Sequence, residues 1–264
     1  MDGVKEPLFN AKDLKEVYDQ STNSENGFRG RCTAPLLING RRRKIVSNNS
    51  KNIMKLLNDL SLKRGEGAID LFPKSLEREI ERLEEWMFKN LNNAVYQAGF
   101  STTQEACEAA AAKYDTSPPL FSKHILILLH SNFFPLLCCR VFDALGTLEA
   151  SLASQKYLLG ERITGPDLML LPTLCRFDAV YSVLFKCSKR RIIQYPSLTK
   201  WMQRMFALPG SFETYNLQAA VESYYLQLFP LNPSGVVPFG PSWKEMGIDP
   251  TKVKIFKISR KLNC

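Results

Sequence analysis

The sequence predicts an α+β protein of two domains, a small mixed domain followed by an all-helical bundle. Before residue 60, a helical pattern, a hairpin pattern and a second helical pattern follow one another. From Ser75 onward the pattern is helical, because apolar residues recur at three- and four-residue spacing. A chain of 264 residues is long enough for two domains. We therefore predict a mixed domain over 1–65, a helical domain over 66–241 and a basic tail over 242–264.

The mixed domain is predicted to contain a helix, two strands and a helix. The first helix covers Ala11–Gln20, and the strands flank Asn39-Gly40, a dipeptide that favours a two-residue turn because both residues tolerate positive φ. Asn and Ser side chains at 47–50 are typical N-caps for the next helix, Ile53–Leu60. Two strands alone leave both edges unpaired. We therefore expect a remnant, the second half of a βαβαββα unit, with its first part missing from this chain.

The helical domain is predicted to open with an amphipathic helix from Ser75 to about Ala98, with Gly99 at its C-terminal end. A later helix is headed by Thr164 and Asp167, which have the spacing of a capping box. In that motif Thr164 caps the helix and Asp167 reaches back to the cap, so that two otherwise unpaired N–H groups are satisfied.

Residues 114–139 interrupt the helical pattern with a burst of apolar residues. Without this stretch, the helix that ends at Lys113 continues at Arg140, and one face of the joined helix then carries Val141, Leu145, Leu148 and Leu152. A membrane span is the alternative, but it needs about 20 mostly apolar residues. Lys123, His124, His130, Asn132 and Pro135 interrupt this stretch. We interpret it as an insertion, for example a translated retained intron, and expect no membrane association.

The chain carries a net charge of +9, concentrated in three basic runs, 41–44, 186–191 and 252–261. A nucleic-acid-binding protein is an alternative that rests on charge alone, because no RNP-type motif, zinc-finger spacing or aromatic-interleaved basic stripe accompanies these runs. We interpret the runs as solvated surface and expect no nucleic-acid partner.

The positions of the cysteines and histidines limit the kinds of catalytic and metal site that the sequence predicts. The seven cysteines include no CxxC pair and the N-terminus has no secretory pattern, so we expect reduced thiols and a cytoplasmic location. Both histidines, His124 and His130, lie in the insertion. Histidine-based triads and histidine-rich metal sites are therefore not expected in the folded body, and we predict no metal.

Several long motifs resemble the Xi class of glutathione transferases, the glutathionyl-hydroquinone reductases. The capping box at 163–168 resembles the signature of the C-terminal domain of glutathione transferases in general. The motifs that are similar to the Xi class are NNAVYQAGF (92–100), PTLCRFDAVY (172–181), FKC (185–187) and NPSGVVP (232–238). The match covers roughly Ala11–Pro241 apart from the insertion, and its motifs occur in the right order.

The resemblance implies a thioredoxin-like domain that binds glutathione as co-substrate, a helical domain that forms the second-substrate pocket, and a homodimer. It also implies a thiol transferase that reduces aromatic or quinone-type glutathione conjugates: a low-pKa cysteine in a Cys-Pro-Trp-Ala-type motif takes up glutathione as a mixed disulfide, and a second glutathione releases it. None of the seven cysteines lies in such a motif. We therefore predict no catalytic residue in this chain; the alternative is a non-catalytic, dimerising or ligand-holding module.

The resemblance also implies site residues. For glutathione these are Ala34 and Pro35, a pair with a cis bond, and Ser50 at a helix start, where Asn49 replaces the glutamate of the family. For the second substrate they are four aromatic residues, Tyr181, Tyr224, Tyr225 and Phe88, the last of which stands where relatives have a tyrosine. Tyrosine hydroxyls would bind phenolic oxygens while the rings stack. The alternative is that these tyrosines are core aromatics.

Overall fold

The computed structural model describes residues 6–22, 27–65, 67–103, 137–228 and 231–252. The chain divides into two compact units, Met1–Phe72 and Pro73–Cys264. The first unit contains helix α1 (Leu14–Thr22), strands β1 (Leu37–Asn39) and β2 (Lys44–Ser47), and helix α2 (Ser50–Lys63). The predicted order of helix, hairpin and helix is thus confirmed, with helices that begin and end a few residues away from the predicted positions.

The hairpin turn differs from the prediction. The antiparallel strands pair Ile38 with Ile45 and Asn39 with Lys44, so the turn has four residues, 40–43, and the predicted two-residue turn is wrong. The Asn39 side chain explains the difference, since its Oδ1 accepts the N–H of Arg42 at 3.0 Å and closes the longer turn. Positive φ, 50°, occurs at Arg43. The first basic run therefore lies exposed at the tip of the hairpin.

Asn58 fixes the segment that follows α2. Its side chain is 5% exposed. Its Oδ1 accepts the N–H of Leu71 at 2.9 Å, and its Nδ2 donates to Asp70 Oδ1 at 3.3 Å. The same Asp70 oxygen accepts the N–H of Phe72 at 3.0 Å. One buried amide thus holds the last residues of the first unit against α2.

We expect Asn58→Ala to destabilise the first unit by about 1–2 kcal/mol, because the N–H of Leu71 loses its acceptor in a partly buried site. Urea unfolding followed by circular dichroism measures the change. Asn52→Ala, an exposed position on the same helix, is the matched control and should change stability by less than about 0.5 kcal/mol. Equal effects of the two substitutions would contradict the role assigned to Asn58.

The second unit is helical, as predicted. Its helices are α3 (Glu77–Met87), α4 (Ala94–Phe100), α5 (Leu137–Leu152), α6 (Gly165–Arg176), α7 (Pro196–Phe206) and α8 (Leu217–Gln227). A π-helical turn, Phe88–Asn92, separates α3 from α4, and a second one, Phe177–Tyr181, follows α6. Short 3-10 turns cover Lys74–Leu76, Ile192–Gln194, Phe212–Thr214 and Pro250–Lys252.

Gly99 has a different role from the predicted one. The helix continues past it to Phe100, so Gly99 does not terminate the helix. A Cβ at this position would overlap the ring carbons Cγ and Cδ1 of Phe185 and lie 3.0 Å from its Cβ. Gly99 is therefore a close-packing position, where α4 approaches the segment after the second π turn.

Helix α5 has the face that the sequence predicts, since Val141, Leu145, Leu148 and Leu152 are all buried. Most of the proposed insertion, residues 114–136, lies outside the described residues, as does the end of the basic tail from 253 onward. No helix in the described parts of the chain combines the length and the apolar character that crossing a bilayer requires.

The carboxylate of Asp167 lies in the interior of the second unit, without solvent exposure. Its Oδ2 accepts the N–H of Thr164 at 3.0 Å and the Thr164 hydroxyl at 3.1 Å. Its Oδ1 accepts the N–H of Leu158 and the indole N–H of Trp201, both at 3.0 Å. The backbone contact that the capping-box spacing predicts is present, and the same carboxylate also joins α6 to α7.

The segment 242–252 packs on the helical unit. The Trp243 ring lies 5.2 Å from Phe206, 5.4 Å from Phe212 and 5.5 Å from Tyr215, measured between ring centroids. Met246 and Ile248 are buried. The described part of the predicted tail is thus attached to the helical unit by an aromatic cluster.

Candidate functional site

The sequence-predicted glutathione residues of the first unit lie at one end of its hairpin. The Ala34–Pro35 bond is cis, and both residues are exposed. The preceding residue, Thr33, is held by Tyr18, whose hydroxyl donates to the Thr33 carbonyl at 2.7 Å. Because Leu37 pairs with Ser47, Pro35 and the start of α2 both lie two to three residues beyond the same end of the strand pair.

Helix α2 begins beside this end. Asn49 is its N-cap, and the Asn49 Oδ1 accepts the N–H of Asn52 at 3.0 Å. Ser50, the first helical residue, is exposed. The N-terminus of a helix attracts anions, so a carboxylate has a favourable position there. An open groove next to it is lined by Val46, Ser47, Asn52, Lys55, Leu56 and Asp59.

Three tyrosine hydroxyls converge in the second unit. Tyr96 lies on α4, Tyr181 ends the second π turn, and Tyr224 lies on α8. The Tyr181 hydroxyl is 3.3 Å from that of Tyr96 and 3.2 Å from that of Tyr224, and the hydroxyls of Tyr96 and Tyr224 are also hydrogen-bonded. We call this group the hydroxyl triangle.

Phe185 provides the aromatic wall of the hydroxyl triangle. Its ring is stacked on that of Tyr181, with centroids 5.1 Å apart and planes at 10°. It also lies 5.2 Å from the ring of Tyr96 and 6.0 Å from that of Tyr224. Polar hydroxyls and an aromatic ring are thus combined in one cluster, in which Phe185 is fully buried.

Two hydroxyls of the triangle, those of Tyr181 and Tyr224, are protonated at neutral pH. Tyr181 is 1% exposed, and burial raises its pKa well above the usual value. Burial also raises the pKa of Tyr224 to about 12. A neutral hydroxyl offers one donor and two acceptor sites, so the triangle is able to exchange one of its internal hydrogen bonds for a bond to a ligand oxygen.

A cation lies next to the triangle. Arg176 is the last residue of α6, and its Cζ is 5.9 Å from the ring centroids of both Tyr215 and Tyr224. A guanidinium group over a tyrosine face is attracted by the ring quadrupole. Arg176 stays charged at any pH that the fold tolerates.

Two predicted pocket residues lie outside this cluster. Tyr225 follows Tyr224 on α8 and therefore points about 100° away around the helix; it is buried, and its carbonyl accepts a hydrogen bond from Asn232 Nδ2 at 2.8 Å. Phe88 lies in the first π turn and is 55% exposed. The structure thus brings Tyr181 and Tyr224 together and places Tyr225 and Phe88 elsewhere.

Sequence reasoning assigned no role to Tyr96, Phe185 or Arg176, although all three lie in the motifs that carry the resemblance. For Phe185 a signal was present, since Tyr181 and Phe185 are four residues apart and such residues share a face when the chain is helical. Tyr96 and Arg176 come from other helices, and only the packing brings them to the triangle.

Two of the described cysteines lack the exposure that a reactive thiol needs. Cys175 and Cys187 are buried, and burial raises the pKa of Cys175 far above its usual value. Cys32 is partly buried and not in a disulfide. The remaining cysteines, 107, 138, 139 and 264, lie outside the residues whose side chains are described. Within the described ranges, no group of histidine, cysteine and acidic residues has the arrangement of a metal site.

Comparison with known proteins shows the same family in sequence and in structure. Residues 140–209 match the model of the glutathione S-transferase C-terminal domain. The glutathionyl-hydroquinone reductase PcpF of Sphingobium chlorophenolicum is 34% identical over 241 residues, which are 91% of this chain and 67% of PcpF. The glutathionyl-hydroquinone reductase YqjG of Escherichia coli is 32% identical, over 87% of this chain and 62% of YqjG. This chain thus spans about two thirds of their length.

Solved structures give the same result. The glutathione-bound structure of YqjG superposes with a TM-score of 0.75 at 30% identity, and covers 90% of this chain and 68% of the YqjG chain. The glutathione transferase Xi of Phanerochaete chrysosporium also has a TM-score of 0.75, at 31% identity, over 91% of this chain and 72% of its own. The chain therefore belongs to the glutathione transferase family, in the Xi class with the glutathionyl-hydroquinone reductases.

Proposed function

We propose that the helical unit holds the aromatic ring of a glutathione conjugate of the quinone or hydroquinone type. The observation that carries this proposal is the hydroxyl triangle of Tyr96, Tyr181 and Tyr224 with the stacked ring of Phe185 beside it. The ring of the ligand would pack on Phe185 while its oxygen exchanges hydrogen bonds with the triangle. The names of PcpF and YqjG, both glutathionyl-hydroquinone reductases, support the choice of ligand class.

We also propose that the first unit, taken by itself, binds glutathione. The backbone of Ala34 and Pro35 would pair with the cysteinyl part of glutathione, and Ser50 at the start of α2 would receive the γ-glutamyl carboxylate. The amide oxygen of Asn49 caps α2, so this residue contributes to the site chiefly by holding the helix N-terminus in place. The glutathione-bound structure of YqjG supports glutathione as the co-substrate.

Turnover by thiol exchange needs an accessible thiol with a low pKa. The sequence Cys-Pro-Trp does not occur in the 264 residues, and Cys175 and Cys187 are buried. We therefore assign the reduction of glutathionyl-hydroquinones to the family chemistry and expect the 264-residue chain by itself to bind the conjugate without turning it over. A homodimer and a cytoplasmic location belong to the same proposal, and they rest on the family resemblance and on the thiol usage.

Binding of glutathionyl-menadione, measured by calorimetry, tests the pocket. Tyr181→Phe and Tyr224→Phe each remove one hydroxyl of the triangle, and we expect each to weaken binding about tenfold, the effect of one lost hydrogen bond. Tyr157→Phe, a buried tyrosine outside the triangle, is the matched control and should bind like the wild type.

Two outcomes would contradict the proposal. If both triangle variants bind glutathionyl-menadione with wild-type affinity, the hydroxyls of the triangle are not part of the binding site. Measurable reduction of glutathionyl-menadione by the 264-residue chain in the presence of glutathione would show that one of its own cysteines acts as the nucleophile.

A further inference from the structure

Among the described residues, no acidic side chain forms an ion pair with Arg176. The ion pairs Lys15–Asp19 and Lys89–Glu85 lie elsewhere in the chain and do not involve Arg176. The Nε atom of Arg176 is buried and has no hydrogen-bond partner among the described residues. A partly buried cation with an unused donor is unfavourable unless an anion or an electron-rich group completes its surroundings.

Four tyrosines and one cysteine surround Arg176. Tyr96 faces it from α4, Tyr181 from the second π turn, Tyr215 from the segment before α8, and Tyr224 from α8. Cys175 precedes it on its own helix. Burial raises the pKa values of Tyr181, Tyr215, Tyr224 and Cys175 above their usual values. The described residues around Arg176 therefore supply several hydroxyl donors and one positive charge.

We propose that Arg176 is the anion-holding group of the aromatic pocket and that the pocket takes up its phenolic ligand as the phenolate. This inference rests on the proposed function, because it needs an aromatic ligand at the hydroxyl triangle. Phe185 and Tyr181 form aromatic surroundings, and the hydroxyls of the triangle are hydrogen-bond partners for an oxygen on a ligand ring. Arg176 lies over Tyr224, one member of the triangle, so its positive charge is close to that oxygen. A carboxylate on a flexible chain would not use the ring face of Phe185.

The binding of 4-nitrophenol tests this, because its phenolate absorbs visible light and its free form titrates near neutral pH. An opposite charge within a few ångströms lowers the pKa of an acid by about 1–3 units. We expect the titration midpoint of 4-nitrophenol bound to the 264-residue chain to fall by about 1 unit or more. In Arg176→Met the midpoint of the bound ligand should return to that of the free ligand or rise above it.

Two controls distinguish an effect of the positive charge of Arg176 from an effect on the shape of the aromatic pocket. Nitrobenzene has the same ring without the hydroxyl, so its affinity should be the same in Arg176→Met and in the wild type. Arg190→Met is the matched variant, since the Cζ of Arg190 lies 4.0 Å from the ring centroid of Tyr195, on an exposed part of the unit. It should leave the midpoint of bound 4-nitrophenol at its lowered value. If Arg176→Met also loses nitrobenzene, Arg176→Gln replaces it in the comparison.

The outcomes distinguish this inference from the proposed function. An unshifted or raised midpoint for 4-nitrophenol bound to the wild-type chain overturns the role of Arg176 and leaves the aromatic pocket intact. The role of Arg176 is also overturned if a variant without Arg176 binds nitrobenzene normally and still lowers the titration midpoint of bound 4-nitrophenol. Failure of both ligands to bind the wild-type chain overturns the aromatic pocket, and the role of Arg176 with it.

Discussion

Asp167→Ala is expected to lower the free energy of unfolding of the helical unit by about 4 kcal/mol, the largest effect that we anticipate for a single substitution. The carboxylate accepts two backbone N–H groups, one hydroxyl and the indole N–H of Trp201. Removing it leaves donors without acceptors in a region without solvent exposure, and each such donor costs about 1–3 kcal/mol. Since the total stability of a domain is about 5–15 kcal/mol, much of this chain should fail to fold at 37 °C.

Asp167→Asn keeps the shape of the side chain and replaces one of its two acceptor oxygens. Both carboxylate oxygens are used, Oδ1 by Leu158 and Trp201 and Oδ2 by Thr164. An asparagine amide keeps one oxygen and turns its NH₂ group toward donors at the other position, so we expect a loss of about 2 kcal/mol or more.

Chemical denaturation of the wild type and both variants measures these losses. Glu161→Gln, an exposed carboxylate in the same segment, is the matched control and should change stability by less than about 0.5 kcal/mol. An Asp167→Asn variant as stable as the wild type would show that the buried carboxylate is not needed as a fourfold acceptor.

The same residue shows what the sequence is able to predict. Thr164 and Asp167 are three residues apart, so their contact follows from helix geometry and the spacing alone predicts it. Trp201 is 34 residues away from Asp167 along the chain, and no periodic pattern connects the two. Local motifs were therefore predictable, and the contacts that join different helices were not.

Glycine and asparagine were harder to interpret. Asn39-Gly40 is compatible with a two-residue turn, but the Asn39 side chain closes a longer turn by accepting the N–H of Arg42. Gly99 is compatible with a helix end, but the helix continues and the missing side chain makes room for Phe185. In both cases the residue type was informative about geometry, and the partner that decides the geometry lies beyond the reach of a local pattern.

In the candidate site, too, contacts between different helices were not predictable from the sequence. The family resemblance directed attention to Tyr181 and Tyr224, which meet in the hydroxyl triangle. Tyr96 and Arg176 complete the cluster from α4 and α6, and only the packing of these helices shows that they are neighbours. Tyr225 was predicted together with Tyr224, although adjacent residues of a helix point in different directions.

Two glycines inside helices, Gly99 and Gly146, give the second large effect, because the same substitution should have opposite signs at the two positions. Alanine is favoured over glycine in a helix by about 1 kcal/mol. At Gly146 on α5 nothing lies within 4 Å of an added Cβ, so Gly146→Ala should stabilise the chain by about 0.5–1 kcal/mol. At Gly99 the added Cβ would overlap the ring of Phe185, and overpacking of this kind costs about 1–3 kcal/mol.

We therefore expect Gly99→Ala to destabilise the chain and, by displacing Phe185 from its stack on Tyr181, to weaken the binding of glutathionyl-menadione about tenfold. Phe185→Leu alone should also weaken binding. In the double variant the two changes share one contact, so their effects on stability should not add, and a coupling of about 1 kcal/mol is expected. Additive effects, or a Gly99→Ala chain that is stabilised like Gly146→Ala, would show that Phe185 moves aside without loss and that the tight contact does not shape the pocket.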